Sequence, residues 1–341
     1  MLSLKQQRSQ HNSLVAASVE QLPEQIIWTL DHWPRKRLLA RKKYNSVIVC
    51  GMGGSALAAD LLRYIYWRQL KVPVIIVNNY QLPGLASADS LVIIASYSGA
   101  TEEALGCFQE ARKRRLSALV ITSGGQLAEA AAADKIPHFI FTTKFNPSGQ
   151  PRLGLGYMLA AFALSLKSAG ILQLDLAELR RAAMTMRGGR GLLTAPARQM
   201  LNKNCLIIAS EHLTGAAHIM SNQLNETAKL FAAYFALPEL NHHLLEGLSN
   251  LGSQSKKWVA VMLESSDYYV RTKKRYRLTE KILQRLGIKV LKQSFIGNGL
   301  EQGLKMLWWS SALTLKLAGK EQLDATAIPW VDLLKQELGD K

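Results

Sequence analysis

In the run LVIIASYSGATEEAL, the hydroxyls of Ser96, Ser98 and Thr101 surround Gly99 directly before a segment that carries Glu102 and Glu103 in its first turn. Hydroxyls and backbone N–H groups converging on a helix N-terminus can hold a phosphate ester, because the helix dipole and the unsatisfied donors both favour an anion there. An N-cap would use the same residues: Ser98 or Thr101 caps, and the glutamates complement the dipole. One hydroxyl serves a cap; three argue for a ligand. Upstream, VIVCGMGGSALAADLL puts Gly51, Gly53, Gly54 and Ser55 at a second junction of this kind. The lysine that Walker A needs after its last glycine is missing. No acidic residue closes a ribose site about 20 residues on, where Val77, Asn78 and Asn79 stand. A structural strand-to-helix turn and an anion site both fit this loop. A third run, ITSGGQLAEA, repeats the style with Thr122, Ser123, Gly124 and Gly125.

Such junctions need strands that end at them and helices that begin after them. Short, mostly apolar, β-branched runs at residues 47–50, 74–77, 91–95, 118–121 and 139–141 predict strands covered on both faces, with helical patterns between most of them. The expectation is a parallel α/β domain, preceded by a polar N-terminal arm and an amphipathic helix in LPEQIIWTLDHW. The charged, glycine-rich stretch RRAAMTMRGGRGLL, near residues 180–193, reads as a linker. The pattern then restarts with strands in CLIIAS, WVAVML and IKVLKQS and helices at residues 214–229, 278–286, 308–317 and 331–338. Two α/β halves of similar element order stand in tandem.

A chain of 341 residues with 48% hydrophobic composition can bury a large core. Cys50, Cys107 and Cys205 lie far apart in apolar surroundings, which predicts reduced, buried thiols rather than a disulfide or zinc site. The first residues, MLSLKQQRSQHNSL, lack the apolar core of a secretion signal, so a cytoplasmic protein is expected. The apolar run at residues 153–166 is too short for a membrane span and predicts a buried helix. A formal charge of +17 raises nucleic acid as a partner. The basic residues fall into separate clusters at 35–43, 112–115, 180–190 and 271–277, without interleaved aromatics for base stacking, and read as solvated faces.

Taken together, GMGGS, SYSGATEE, TSGG, PRLGLGY, NETAK and PELNHH resemble the sugar isomerase (SIS) fold. NETAK followed by ELNHH resembles, more narrowly, the bifunctional phosphoglucose/phosphomannose isomerase family, and the likeness runs from LPEQI to LLKQEL. It implies an α/β fold of two tandem SIS domains, each a parallel sheet flanked by helices in the flavodoxin-like manner. The expected boundaries are an arm and helix over 1–40, a first domain over 41–185, and a second over 195–341 with the C-terminal helices. The implied activity is interconversion of glucose 6-phosphate, and of mannose 6-phosphate, with fructose 6-phosphate through a cis-enediol(ate), without metal or cofactor. The implied assembly is a homodimer with an active site shared between subunits. A non-catalytic sugar-phosphate-binding regulator would need only the hydroxyl turns.

The resemblance also implies residue roles. Gly54 and Ser55 approach the substrate, while Ser96, Ser98 and Thr101 bind its phosphate. Arg152 in PRLGLGY stands beside the reacting carbons, where a fixed cation stabilises an enediolate. Glu226 in NETAK matches the base that moves a proton between C2 and C1. His242 in ELNHH matches a ring-opening histidine that reaches the partner subunit's site, a role suited to imidazole near neutral pH. In DATAIPWVDLLKQEL, Lys335 matches an active-site lysine and Thr326 lies where both epimers are accepted. The chain departs from the family pattern at Ala100, where Asn is usual, and at His243 and Leu244, which replace an Asn-Glu pair.

Overall fold

The computed structural model describes residues 3–36, 38, 39, 42–187 and 190–339. The chain divides into two compact units. One joins Met1–Val19 to Met184–Ala327; the other joins Glu20–Ala183 to Ile328–Lys341. The polar N-terminal arm is a helix, α1 (Leu4–Glu20), with Val15 and Val19 buried. Its Asn12 donates to the Leu323 carbonyl at 3.0 Å and accepts from the Ala325 N–H at 2.9 Å, which holds the arm to the later part of the chain.

In the unit of Glu20–Ala183, α2 (Leu22–His32) precedes β1 (Ser46–Cys50), α3 (Gly54–Ile65), β2 (Val74–Val77), β3 (Ser90–Ser96), α4 (Glu102–Lys113), β4 (Ser117–Thr122), α5 (Gly125–Ala133) and β5 (His138–Ile140). A 3₁₀ turn (Pro151–Leu153), α6 (Leu155–Ser168) and α7 (Leu176–Thr185) follow. All five strands are parallel, in the order β2-β1-β3-β4-β5. β1 and β3 are buried at every position, as an apolar, β-branched strand must be when helices cover both sheet faces. Helix α6 is buried from Leu155 through Leu166, as its unbroken apolar run predicts. The expected linker is helical in its first part. α7 runs through Arg180 and Arg181, because Leu179, Ala182 and Ala183 recur at helical spacing and are buried. Gly188 and Gly189 of that stretch lie outside the described residues, as do Arg37 and Arg41 of the first basic cluster.

The unit of Met184–Ala327 contains α8 (Thr194–Met200), β6 (Asn204–Ala209), α9 (Thr214–Glu226), β7 (Ala232–Ala236), α10 (Leu244–Ser249), β8 (Trp258–Glu264), α11 (Val270–Arg285), β9 (Lys289–Ser294) and α12 (Gly299–Lys320). Its strands are again all parallel, ordered β7-β6-β8-β9, so β6 and β8 hold the places that β1 and β3 hold in the other sheet. α12 starts earlier than residue 308 because Asn298 and Glu301 form a reciprocal capping box, each side chain accepting the other's backbone N–H. The last helix, α13 (Pro329–Leu338), has no buried residue. Among the described residues the three cysteines are free and buried, and no helix is long and apolar enough to cross a membrane.

Candidate functional site

Strand order locates a crevice. β1 and β3 are neighbours at which the order reverses, so the turns after Cys50 and Ser96 diverge at the carboxyl edge of the sheet, where open α/β sheets take ligands. Thr101 occupies the N-cap position of α4 but makes no capping hydrogen bond. Its Oγ1 lies 2.8 Å from Ser96 Oγ instead. Ser96, only 1% exposed, accepts from the Gly99 N–H at 3.0 Å and so braces the turn from beneath. Ser98 is exposed and accepts from the Ala100 N–H at 3.3 Å; Thr101 is half-buried.

The β3 turn is packed backbone to backbone on the β4 turn. Leu127 N–H donates to the Gly99 carbonyl at 2.9 Å, and Ser123 donates through N–H and Oγ to the Tyr97 carbonyl at 3.1 and 2.7 Å. At Gly99, with φ +72°, a Cβ would lie 1.8 Å from the Gly124 carbonyl oxygen, so only glycine fits. The β1 turn joins through Ser55, which accepts from the Tyr97 N–H at 3.0 Å. Gly54 opens α3 against the turn that carries Arg152: a Cβ there would stand 2.7 Å from the Pro151 carbonyl oxygen and 3.0 Å from Arg152 Cα.

Arg152 is 3% exposed and donates from Nη1 to Gln150 Oε1 at 2.8 Å. A guanidinium does not lose its proton, so a buried positive charge is fixed beside the first turn of α3. Two side chains hold its segment in place. Gln25, fully buried on α2, donates to the carbonyls of Phe145 (2.9 Å) and Leu153 (2.8 Å) and accepts from Gly156 N–H (3.0 Å). Asn146 donates at 2.9 Å to both Tyr97 Oη and the Gln150 carbonyl. Burial pushes the Tyr97 phenol up, with the Asn146 hydrogen bond opposing it. Gly54, Ser55, Ser96, Ser98, Thr101 and Arg152 thus gather at one edge of this unit. Lys335 lies on α13, which has no buried residue.

In the other unit, half-buried Glu226 is the last residue of α9. The helix ends where Lys229 adopts φ +53° and its ammonium bonds the carbonyls of Glu226 and Ala327. Asn225 ties this end to β7: Nδ2 donates to the Ser221 and Ala232 carbonyls, both at 2.8 Å, and Oδ1 accepts from Ala232 N–H at 3.2 Å. His242 is exposed in the 3₁₀ turn Glu239–His242 that follows β7. Asn241 pins that turn to α11, donating to Thr279 Oγ1 at 2.8 Å and accepting from Arg275 at 3.2 Å. Glu226 and His242 therefore stand towards opposite ends of β7, a strand about 13 Å long at roughly 3.3 Å per residue. Thr326 Oγ1 donates to Asp324 Oδ1 at 2.6 Å, and His11 Nδ1 lies 2.7 Å from the other carboxylate oxygen. Burial pushes the Asp324 carboxyl up, but hydrogen bonds from Thr326 and His11 outweigh it and hold the group below the usual range.

Gln25, Asn146 and Asn225 were not legible as parts of the site. For Gln25 and Asn146 the available signal was an amide set among residues that become buried, where it must find several partners; exposed Asn225 gave no such signal. Among the described residues, no three His, Cys, Asp or Glu side chains are gathered to hold a metal ion.

Residues 38–140 match the family model described as "SIS domain", and residues 194–338 match "Bacterial phospho-glucose isomerase C-terminal SIS domain". The chain is 30% identical over 303 residues to the bifunctional phosphoglucose/phosphomannose isomerase of Aquifex aeolicus, covering 86% of this chain and 91% of that one. It is 28% identical over 338 residues to the protein of the same name from Caldicellulosiruptor bescii, covering 95% and 98%. The crystal structure of tagatose-6-phosphate ketose/aldose isomerase from Escherichia coli shares the fold, with a TM-score of 0.71, 17% identity, and coverage of 93% of this chain and 97% of that one.

Proposed function

Because the chain belongs to the bifunctional phosphoglucose/phosphomannose isomerase family, we propose that it interconverts glucose 6-phosphate and mannose 6-phosphate with fructose 6-phosphate through a cis-enediol(ate). The β3–α4 turn carries this conclusion. Ser98 is open, Thr101 leaves the helix start uncapped by its side chain, and both stand at the sheet's switch point where an anion is favoured. Ser96, Ser98 and Thr101 receive the phosphate, with Gly54 and Ser55 close to the sugar.

His242 exchanges a proton with the ring oxygen or anomeric hydroxyl to open the ring. Glu226 takes the C2 proton of the aldose and returns it to C1. Arg152 steadies the negative charge that develops on the enediolate oxygen, which a fixed guanidinium does without reorganising. Lys335 and Thr326 contact the sugar. Both epimers lose a C2 proton to the same enediolate, so one carboxylate serves both. The separation of Glu226 from His242 along β7 supports His242 acting in the site of a partner subunit, hence a homodimer. Buried, unpaired thiols support a cytoplasmic setting. The two SIS domains are assigned to residues 41–185 and 195–341.

Purified protein given either aldose phosphate should form fructose 6-phosphate. Ser98→Ala and Thr101→Ala should each raise KM by roughly tenfold or more, since a hydrogen bond to a charged group contributes about 1.5–3 kcal/mol. Protein that binds sugar phosphate without turning it over would be a regulator and would refute the enzymatic assignment. Mixing inactive Glu226→Gln with inactive His242→Ala under subunit exchange should restore activity. Exchange without recovery would place His242 in its own subunit's chemistry.

A further inference from the structure

The second parallel sheet has its own counterpart of the hydroxyl turn. β8 occupies the position of β3, and the turn after it carries Ser265 and Ser266 before α11, as the end of β3 and its following turn carry Ser96 and Ser98 before α4. A cavity of about 390 Å³ lies there, lined by these serines, by Ser294 at the end of β9 and by Lys273 and Arg277 of α11. That volume falls within the roughly 300–1,000 Å³ usual for small-ligand sites. Buried Tyr268 and Tyr276 line it as well, their rings 5.2 Å apart, while Ser266, Ser294, Lys273 and Arg277 are exposed.

Lys273 and Arg277 are four residues apart, so they sit side by side on one helix face, an arrangement that costs stability unless an anion comes between them. Lys273 donates one hydrogen bond to the Ser266 carbonyl at 3.0 Å, which draws its ammonium to the turn and leaves donors to spare. The carboxyl of Glu264 also lines the cavity. Burial holds it above the usual carboxylate range, with Lys292 opposing and Glu280 adding to the rise. No lining residue belongs to the set assigned to isomerisation.

We propose that this cavity binds the phosphate group of a small phosphorylated metabolite, with Lys273, Arg277 and the hydroxyl of Ser294 as its ligands. The site is independent of the isomerase assignment. The test is calorimetric titration of the full chain with glucitol 6-phosphate, which carries the phosphate but no carbonyl to isomerise. Wild type should bind two equivalents per chain. Lys273→Ala/Arg277→Ala should lose one of them or weaken it at least tenfold, while Ser98→Ala/Thr101→Ala should affect the other. All four residues are exposed or half-buried, and circular dichroism of each variant checks that the fold is kept. An Arg277→Met single variant, nearly the same size without the charge, should show an intermediate loss. Lys273→Ala/Arg277→Ala protein that is folded and binds with wild-type stoichiometry and affinity would overturn the proposal. Loss confined to the Ser98→Ala/Thr101→Ala variant would leave only the isomerase site.

Discussion

Gly99→Ala separates backbone strain from loop packing, because Gly170 provides a control of the same conformation. The two glycines have φ of +72° and +73°. An alanine costs about 1–2 kcal/mol in that left-handed region at either place. At Gly170 a Cβ would meet nothing within 4 Å, so the cost ends there. At Gly99 it would lie 1.8 Å from the Gly124 carbonyl oxygen, 2.8 Å from its carbon and 3.0 Å from Thr122 Oγ1. Two of those atoms are backbone and cannot rotate away, so the β3 and β4 turns must part by roughly 1 Å to reach even a tight contact. Overpacking of this kind adds about 1–3 kcal/mol. A displacement near 1 Å in a binding turn can cost about 10²-fold in rate. Thermal unfolding and isomerase kinetics measure both effects. Gly170→Ala should lower Tm by a few degrees, at roughly 2–4 °C per kcal/mol, and leave KM alone. Gly99→Ala should lower Tm further and raise KM for the sugar phosphate at least tenfold. Equal Tm and KM in the two variants would refute the packing argument.

Asn225→Ala removes three hydrogen bonds, two of which join the end of α9 to β7. It should cost about 1–3 kcal/mol and lower kcat more than it changes KM, because Glu226 loses its support; an unchanged kcat in folded protein would make Asn225 purely structural. Glu264→Gln tests the half-buried carboxyl. The folded state prefers it protonated, so wild type is penalised above the folded pKa and not below the unfolded one. The variant should therefore melt higher than wild type at pH 7, with the gain fading as pH falls to about 4; a constant gain would mean that packing is the cause.

Strands covered on both faces declared themselves. β1, β3 and β8 are continuous apolar, β-branched runs, and the structure extends each by a residue or two at most. β7 did not, because AAYFA is three alanines and two aromatics with no period of its own; only its pairing with β6 makes it a strand. α1 looked like a polar arm because its buried side is a narrow stripe around Val15 and Val19. The hydroxyl turns were visible as residues, but their division of labour was not. Ser96 and Ser98 are two residues apart, yet one is buried and accepts the Gly99 N–H while the other is open. That difference arises from how the turn folds over the end of β3. Gln25 escaped notice because its partners lie more than a hundred residues away along the chain.

The central claim is that one carboxylate, Glu226, moves the proton for both epimers. Steady-state kinetics of Glu226→Gln with glucose 6-phosphate and with mannose 6-phosphate test it most directly. Losing a general base typically costs about 10²–10⁴-fold in rate. The variant should lose that much kcat with both sugars while KM stays near wild type, and exchange of solvent deuterium into the sugar should fall with it. Wild-type kcat with either sugar would contradict the claim.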